Sequence, residues 1–344
     1  MPRPYVCHGA HYTGHGGGHS GLPGGEGAYL RGRHRPRKAY TFTLLFTTAV
    51  REVLYTSVLD LIGKTPLVRT RLSPKEGVTI YAKLEYLNPT GSLKDRIALK
   101  MIEDAEARGV LSRDKILVEG SSGNTGIAVA AIGRLKGYKV LIFAPRHAPV
   151  EKITLMKVLG AEVRLAESEA EAVRLARELA SKDPRYFMLD QFRNPANVAA
   201  HYEATAREIW EDLGGRVDCV VVGIGTAGTI MGLARFFKEK KPDIRIVGVS
   251  GRGEEIDGLV DPKTGDVPLL EEELIDDLMY VSREDAIKMM IRLAREEGIM
   301  AGMSSGATCY AAIQLAREME EGNIVAICGD SIMRYTSILK DFLA

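Results

Sequence analysis

From about residue 53 onward, short apolar runs rich in Val and Ile alternate with longer segments of helical period, and few folds accept that alternation. Strands joined through helices lie parallel, and a parallel sheet hides both of its faces under helices. The spacing predicts a strand at "KILVEG" (115–120), a helix at 125–137, a strand at "KVLIFAP" (139–145), a helix at 150–162 and a strand at 163–166. After a loop around 190–197 the pattern resumes with a helix at 198–213, a strand at 217–223, a helix at 229–240 and a strand at 244–250. The expected fold class is therefore α/β, with two doubly wound parallel sheets in series. Such folds bind ligands at the carboxyl ends of their strands, which directs attention to the loops after residues 120 and 223.

Composition narrows the function. The chain has 344 residues, 45% of them apolar, enough for one large or two medium domains. Its 46 basic residues nearly cancel its 45 acidic ones, so no overall field favours nucleic acid or an anionic membrane, and an anionic ligand has to be held locally. Cys7, Cys219, Cys309 and Cys328 show no zinc-ligand spacing; reduced thiols in a cytoplasmic protein and no bound metal are the expectation. Only two Gln and five Asn occur, a scarcity that fits a thermophilic source. Five of those seven amides fall in "NPTGSLKD", "SSGNTG" and "QFRNPAN", so those stretches have a use for amide chemistry. Residues 1–49 stand apart, with ten of the 36 glycines and five of the seven histidines. They read as a disordered tail or a mis-assigned start rather than as a targeting segment. Metal binding by His8, His11, His15 and His19 is disfavoured, because the interleaved glycines hold no helix.

Four loops have the residues for chemistry. "EGSSGNTG" (119–126) sets Ser121, Ser122, Asn124 and Thr125 at a helix N-terminus, an arrangement suited to a carboxylate as well as to plain capping. "GIGTAGT" (223–229) contains GxGxxG, yet the following strand ends in Ser250, Gly251 and Arg252 without the acid that a dinucleotide site wants. Backbone amides with Thr226 and Thr229 suit a monophosphate better. In "NPTGSLKDR" (88–96) a turn leads into an amphipathic helix that starts at Lys94. A cation there opposes the helix dipole by about 0.3 to 1 kcal/mol, which favours the neutral amine; a solvated lysine remains the plain alternative. In "AGMSSGA" (301–307) Ser304 and Ser305 open another helix.

Taken with "IGKTPLVR" (62–69) and "QFRNPAN" (191–197), these stretches resemble, in order and spacing, the cysteine synthase / cystathionine β-synthase family of fold-type II pyridoxal-phosphate enzymes, with their tryptophan synthase β-like fold. The resemblance spans 53–344. It implies a smaller N-terminal domain from 54–65 and 88–194, and a larger C-terminal one from 66–87 and 195–344 with the phosphate loop. It implies pyridoxal 5'-phosphate on Lys94 as an aldimine, Asn124 at the ring hydroxyl oxygen and Ser304 at the pyridine nitrogen. Gly225, Thr226, Ala227, Gly228 and Thr229 hold the phosphate, with Ala227 where glycine is common. Ser121, in place of a common threonine, binds the substrate carboxylate together with Ser122, Thr125 and Gln191.

The implied reaction is β-replacement: an activated serine loses its leaving group to give an aminoacrylate, and sulfide adds to form L-cysteine. A cystathionine β-synthase or a serine/threonine dehydratase is the alternative on the same fold, weakened by the absence of a regulatory segment after residue 344. A non-catalytic relative and a dehydrogenase are the alternatives from other classes. Arg252 is similar to an arginine of the enzymes that take O-phosphoserine, so the donor is O-acetylserine or O-phosphoserine; a surface pairing with Glu254 or Glu255 is the plainer reading of that residue. The resemblance also implies a homodimer whose partners are small molecules.

Overall fold

Each strand sends alternate side chains to opposite faces, and that alternation sorts the apolar residues into separate cores. The computed structural model describes residues 54–253 and 255–343. The expectations for residues 1–49, including the four histidines, lie outside the described residues.

The strands are β1 (Leu67–Arg69), β2 (Val78–Leu84), β3 (Ile116–Gly120), β4 (Lys139–Pro145), β5 (Glu162–Ala166), β6 (Tyr186–Met188), β7 (Cys219–Gly223), β8 (Arg245–Gly251), β9 (Asp277–Val281) and β10 (Gly322–Cys328). The helices are α1 (Lys94–Ala107), α2 (Asn124–Leu135), α3 (Val150–Val158), α4 (Glu169–Lys182), α5 (Pro195–Ala200), α6 (Ala206–Asp212), α7 (Gly228–Lys240), α8 (Arg283–Arg292), α9 (Met303–Glu318) and α10 (Thr336–Leu343). One sheet runs β5-β4-β3-β6, parallel throughout. The other runs β1-β2-β10-β7-β8-β9, parallel except for the antiparallel β1–β2 pair.

In the smaller sheet Leu117 packs with Ile97, Met101, Ile127 and Ile132 of α1 and α2, while its neighbour Val118 packs with Ala172 and Ala176 of α4 on the other face. In the larger sheet Val221 meets Ala307 and Ala311 of α9, and Val220 and Val222 meet Ile230, Leu233 and Phe237 of α7. Both sheets are doubly wound, as the alternation of elements predicted. A glycine inside a helix costs about 1 kcal/mol relative to alanine. In α2 that cost is offset by close packing, because a Cβ at Gly133 would stand 2.8 Å from Leu117 and Val140.

Some boundaries differ from the sequence reading. The helix expected to reach 162 stops at Val158, where Gly160 turns the chain with φ +86° and frees Glu162 to start β5. The helix expected from 198 starts earlier, at Pro195, because the Asn194 side chain caps it by accepting from the Ala196 amide. A π turn over His201–Thr205 then joins α5 to α6. Among the described residues, no helix is long and apolar enough to cross a membrane.

Candidate active site

The carboxyl ends of β3, β7 and β10 and the first residues of α1, α2, α7 and α9 surround one cavity. Of the residues singled out in the sequence, Lys94, Ser121, Ser122, Asn124, Thr125, Gln191, Gly225, Thr226, Ala227, Thr229 and Ser304 line it.

Lys94 is delivered by contacts made on either side of it. The Leu93 amide donates to the Gly329 carbonyl at 2.9 Å, just beyond β10, and Ser92 bridges Asp330. Gly91 supplies the turn with φ +87°, and Asp95 accepts from the Thr90 amide at 2.7 Å to close it. Desolvation lowers the pKa of the Lys94 amine to about 8, against the opposing pull of the Asp330 carboxylate. An amine that gives up its proton near neutrality can serve both as a nucleophile and as a base.

The 119–126 loop presents its backbone to the cavity. Ser121 Oγ accepts from the amides of Gly123 (3.2 Å) and Gly126 (3.1 Å) and so shapes the loop. Thr125 donates to the Gln191 side-chain oxygen at 2.6 Å, and Gln191 donates to the Gly120 carbonyl at 3.3 Å. Ser122 donates to Glu169 at 3.0 Å. Among the described residues, the amides of Ser122, Asn124 and Thr125 meet no protein acceptor. They form an anion cradle at the start of α2.

A second cradle opens α7. The amides of Gly225, Thr226, Ala227 and Thr229 likewise take no acceptor among the described residues. Thr226 Oγ1 accepts from Asn197 at 2.9 Å, and Thr229 Oγ1 meets His201 Nε2 at 3.2 Å. Burial holds the His201 imidazole neutral, with Arg96 and Lys94 pushing the same way. Ala227 adopts the left-handed conformation, φ +63°, where glycine carries no steric penalty. Gly228 lies behind the cavity wall, since a Cβ there would collide with the Asn197 amide.

Two predicted residues close the far end. Asn124 donates to Asp330 Oδ2 at 2.8 Å and accepts from Arg334, and the Ser304 hydroxyl faces the cavity without a partner among the described residues. Arg252 does not join them. Its amide extends the sheet by donating to the Val281 carbonyl at 2.9 Å, and its exposed guanidinium folds back onto the Tyr280 carbonyl.

Asp330 was missed in the sequence, although it is buried in the cavity wall with Oδ1 unpartnered among the described residues and its pKa raised, chiefly by desolvation. The signal was available: "GD" directly follows the strand "IVAIC", at the carboxyl end of a parallel strand. Asn197 and His201, which brace the phosphate-loop threonines from below, were also not assigned a role.

These donors fit pyridoxal phosphate. Open amides with two threonine hydroxyls suit its phosphate, a low-pKa amine suits its aldehyde, and a free hydroxyl with an amide suits its ring. Comparisons with known proteins agree. The model of the family described as pyridoxal-phosphate dependent enzyme matches residues 58–330. Cysteine synthase B of Pseudomonas aeruginosa is 41% identical over 291 residues, covering 83% of this chain and 97% of that protein. Cystathionine beta-synthase of Apis mellifera is 38% identical over 301 residues, 81% of this chain and 60% of that one. The crystal structure of cysteine synthase (OASS) from Entamoeba histolytica superposes with a TM-score of 0.78 at 37% identity, over 84% of this chain and 92% of that one. The chain belongs to the pyridoxal-phosphate dependent enzymes.

Proposed function

We propose that the protein is a cysteine synthase that replaces the β-substituent of O-acetylserine with sulfide. The observation that carries this reading is the placement of Lys94, desolvated by burial, in a cavity with an anion cradle on α2 and another on α7. When bound, pyridoxal phosphate supplies an electron sink for the α-carbon of an amino acid. Lys94 would hold its aldehyde, and its Nζ, placed at the cavity wall, would take the α-proton of a bound amino acid. The α7 amides, with Thr226 and Thr229, would hold the phosphate of the cofactor.

The amides of Ser122, Asn124 and Thr125 take the carboxylate of the amino acid. Ser121 and Gln191 keep that loop in shape. Asn124 would meet the ring hydroxyl oxygen, and the free Ser304 hydroxyl would hydrogen-bond the ring nitrogen. A neutral hydroxyl there gives less charge support than a carboxylate, which favours expelling a β-substituent over prolonged carbanion chemistry.

The charges around the cavity support O-acetylserine over O-phosphoserine. Glu169 and Glu255 line it and, among the described residues, take part in no ion pair, whereas Arg252 is turned away. A phosphate leaving group would meet like charge there, and an acetyl group would not. As part of the same reading, the two sheets are the cores of two domains, 54–65 with 88–194 and 66–87 with 195–344. The enzyme works as a cytoplasmic homodimer. The buried free thiols of Cys219, Cys309 and Cys328 support the compartment, and the exposed apolar Leu54, Val58 and Leu61 support the dimer.

The test is to supply the purified protein with each donor and sulfide and to measure cysteine. O-acetylserine should turn over faster. Faster turnover of O-phosphoserine would refute the choice of donor, and no cysteine from either would refute the function.

A further inference from the structure

Lys152, in the first turn of α3, is a lysine with a side chain 1% exposed, and neither the cofactor nor the substrate reading uses it. Its stem runs beneath the carboxylate loop: a Cβ at Gly123 would stand 2.7 Å from Lys152 Cδ and 3.1 Å from Nζ. The ammonium lies 5.2 Å from the centre of the Tyr335 ring and ends in an ion pair with Asp257. Asp257 belongs to residues 255–260, all of which line the cavity. At its other end that segment rests on the phosphate loop. The Val260 amide donates to the Ile224 carbonyl at 2.7 Å, and a Cβ at Gly225 would stand 2.7 Å from the Gly258 carbonyl oxygen. The segment is therefore anchored to the phosphate loop by backbone contacts and to the carboxylate loop through Lys152 and Asp257.

We propose that Lys152 and Asp257 are positioning residues, a clamp that holds residues 255–260 against the carboxylate loop so that an amino acid meets both together. Burying an ammonium is unfavourable without its partner, so the pair resists separation. Its stem fixes the height of Gly123, next to the amides of Ser122 and Asn124 that receive the carboxylate. Loss of the clamp weakens amino-acid binding and leaves the reacting atoms in place.

The inference rests on the proposed carboxylate site, so the test reads binding as well as turnover. Asp257→Asn, Lys152→Met and the double variant are prepared as holoenzymes, and the KM for O-acetylserine is measured beside the Kd for L-alanine. L-alanine has the same carboxylate and no leaving group, and its binding is followed by the absorbance of the bound cofactor. Asp257→Asn should raise both constants about tenfold with kcat changed less than about twofold. It should also lower the melting temperature, since Lys152 is left buried and unpaired. The double variant should recover the melting temperature and keep the high constants, giving a strongly non-additive cycle. Constants within about twofold of the parent in Asp257→Asn overturn the proposal, as does a double variant in which they return to parental values. Failure of the parent to make cysteine would count against the function, while L-alanine binding would still report on the clamp.

Discussion

Glu119 offers a test of the electrostatics beneath the carboxylate loop. It is the penultimate residue of β3, fully buried, with Oε1 accepting from the Gly120 amide at 3.1 Å and Oε2 unpartnered among the described residues. Desolvation, helped by the nearby Asp190 charge, raises its pKa from 4.5 to about 8. Between those values the folded protein holds a proton that the unfolded chain has released. Stability from this group is therefore complete below 4.5 and is lost as the pH rises toward 8, at up to about 1.4 kcal/mol per pH unit. Over the whole window the loss is on the order of 3 to 5 kcal/mol. Glu119→Gln keeps the shape and stays neutral, so it lacks this loss. Thermal unfolding of parent and variant from pH 5 to 9 should give curves that are close at the acid end. At the alkaline end the variant should melt higher by about 1.5 °C per kcal/mol. A difference that does not change with pH would refute the assignment of a buried, protonated Glu119.

Ala227, at φ +63°, carries a left-handed penalty of about 1 to 2 kcal/mol, partly offset by the smaller unfolded-state entropy of alanine relative to glycine. Ala227→Gly should therefore raise the melting temperature, with a net gain of about 0.5 to 1 kcal/mol; a fall would contradict the strain. Stripped of cofactor, the protein should rebind pyridoxal phosphate faster as the pH rises through about 8, where the Lys94 amine becomes neutral. From pH 7 to 9 the neutral fraction grows about tenfold, and a flat rate would exclude that step as limiting. Asp330 holds the Lys94 pKa up, so Asp330→Asn should move the same profile to lower pH; a shift to higher pH would reverse the assigned sign.

The fold was legible wherever a local period carried it. Parallel strands buried on both faces appear as unbroken apolar runs such as "VVVG" and "KVLIFAP", and the glycine-rich junctions mark their carboxyl ends. Both anion cradles could be read the same way, because a helix N-terminus after a strand is a local feature. Residues whose meaning depends on distant partners could not. Lys152 has an ordinary helical setting, and only the fold brings Asp257 to it, 105 residues along the chain. His201 and Asn197 gain their roles when α5 and its π turn pack under α7. The position of Arg252 depended on whether the chain turned into the cavity after β8, and instead it continues along β9.

The assignment of Lys94 as the lysine that holds the cofactor can be tested on the bond itself. Reduction of the holoenzyme with borohydride fixes pyridoxal phosphate to whichever lysine carries it, and mass spectrometry of the digested protein locates that residue. The pyridoxyl group should be found on Lys94, with no labelling in Lys94→Ala. Labelling of another lysine in the parent protein, or an undiminished yield in the variant, would contradict it.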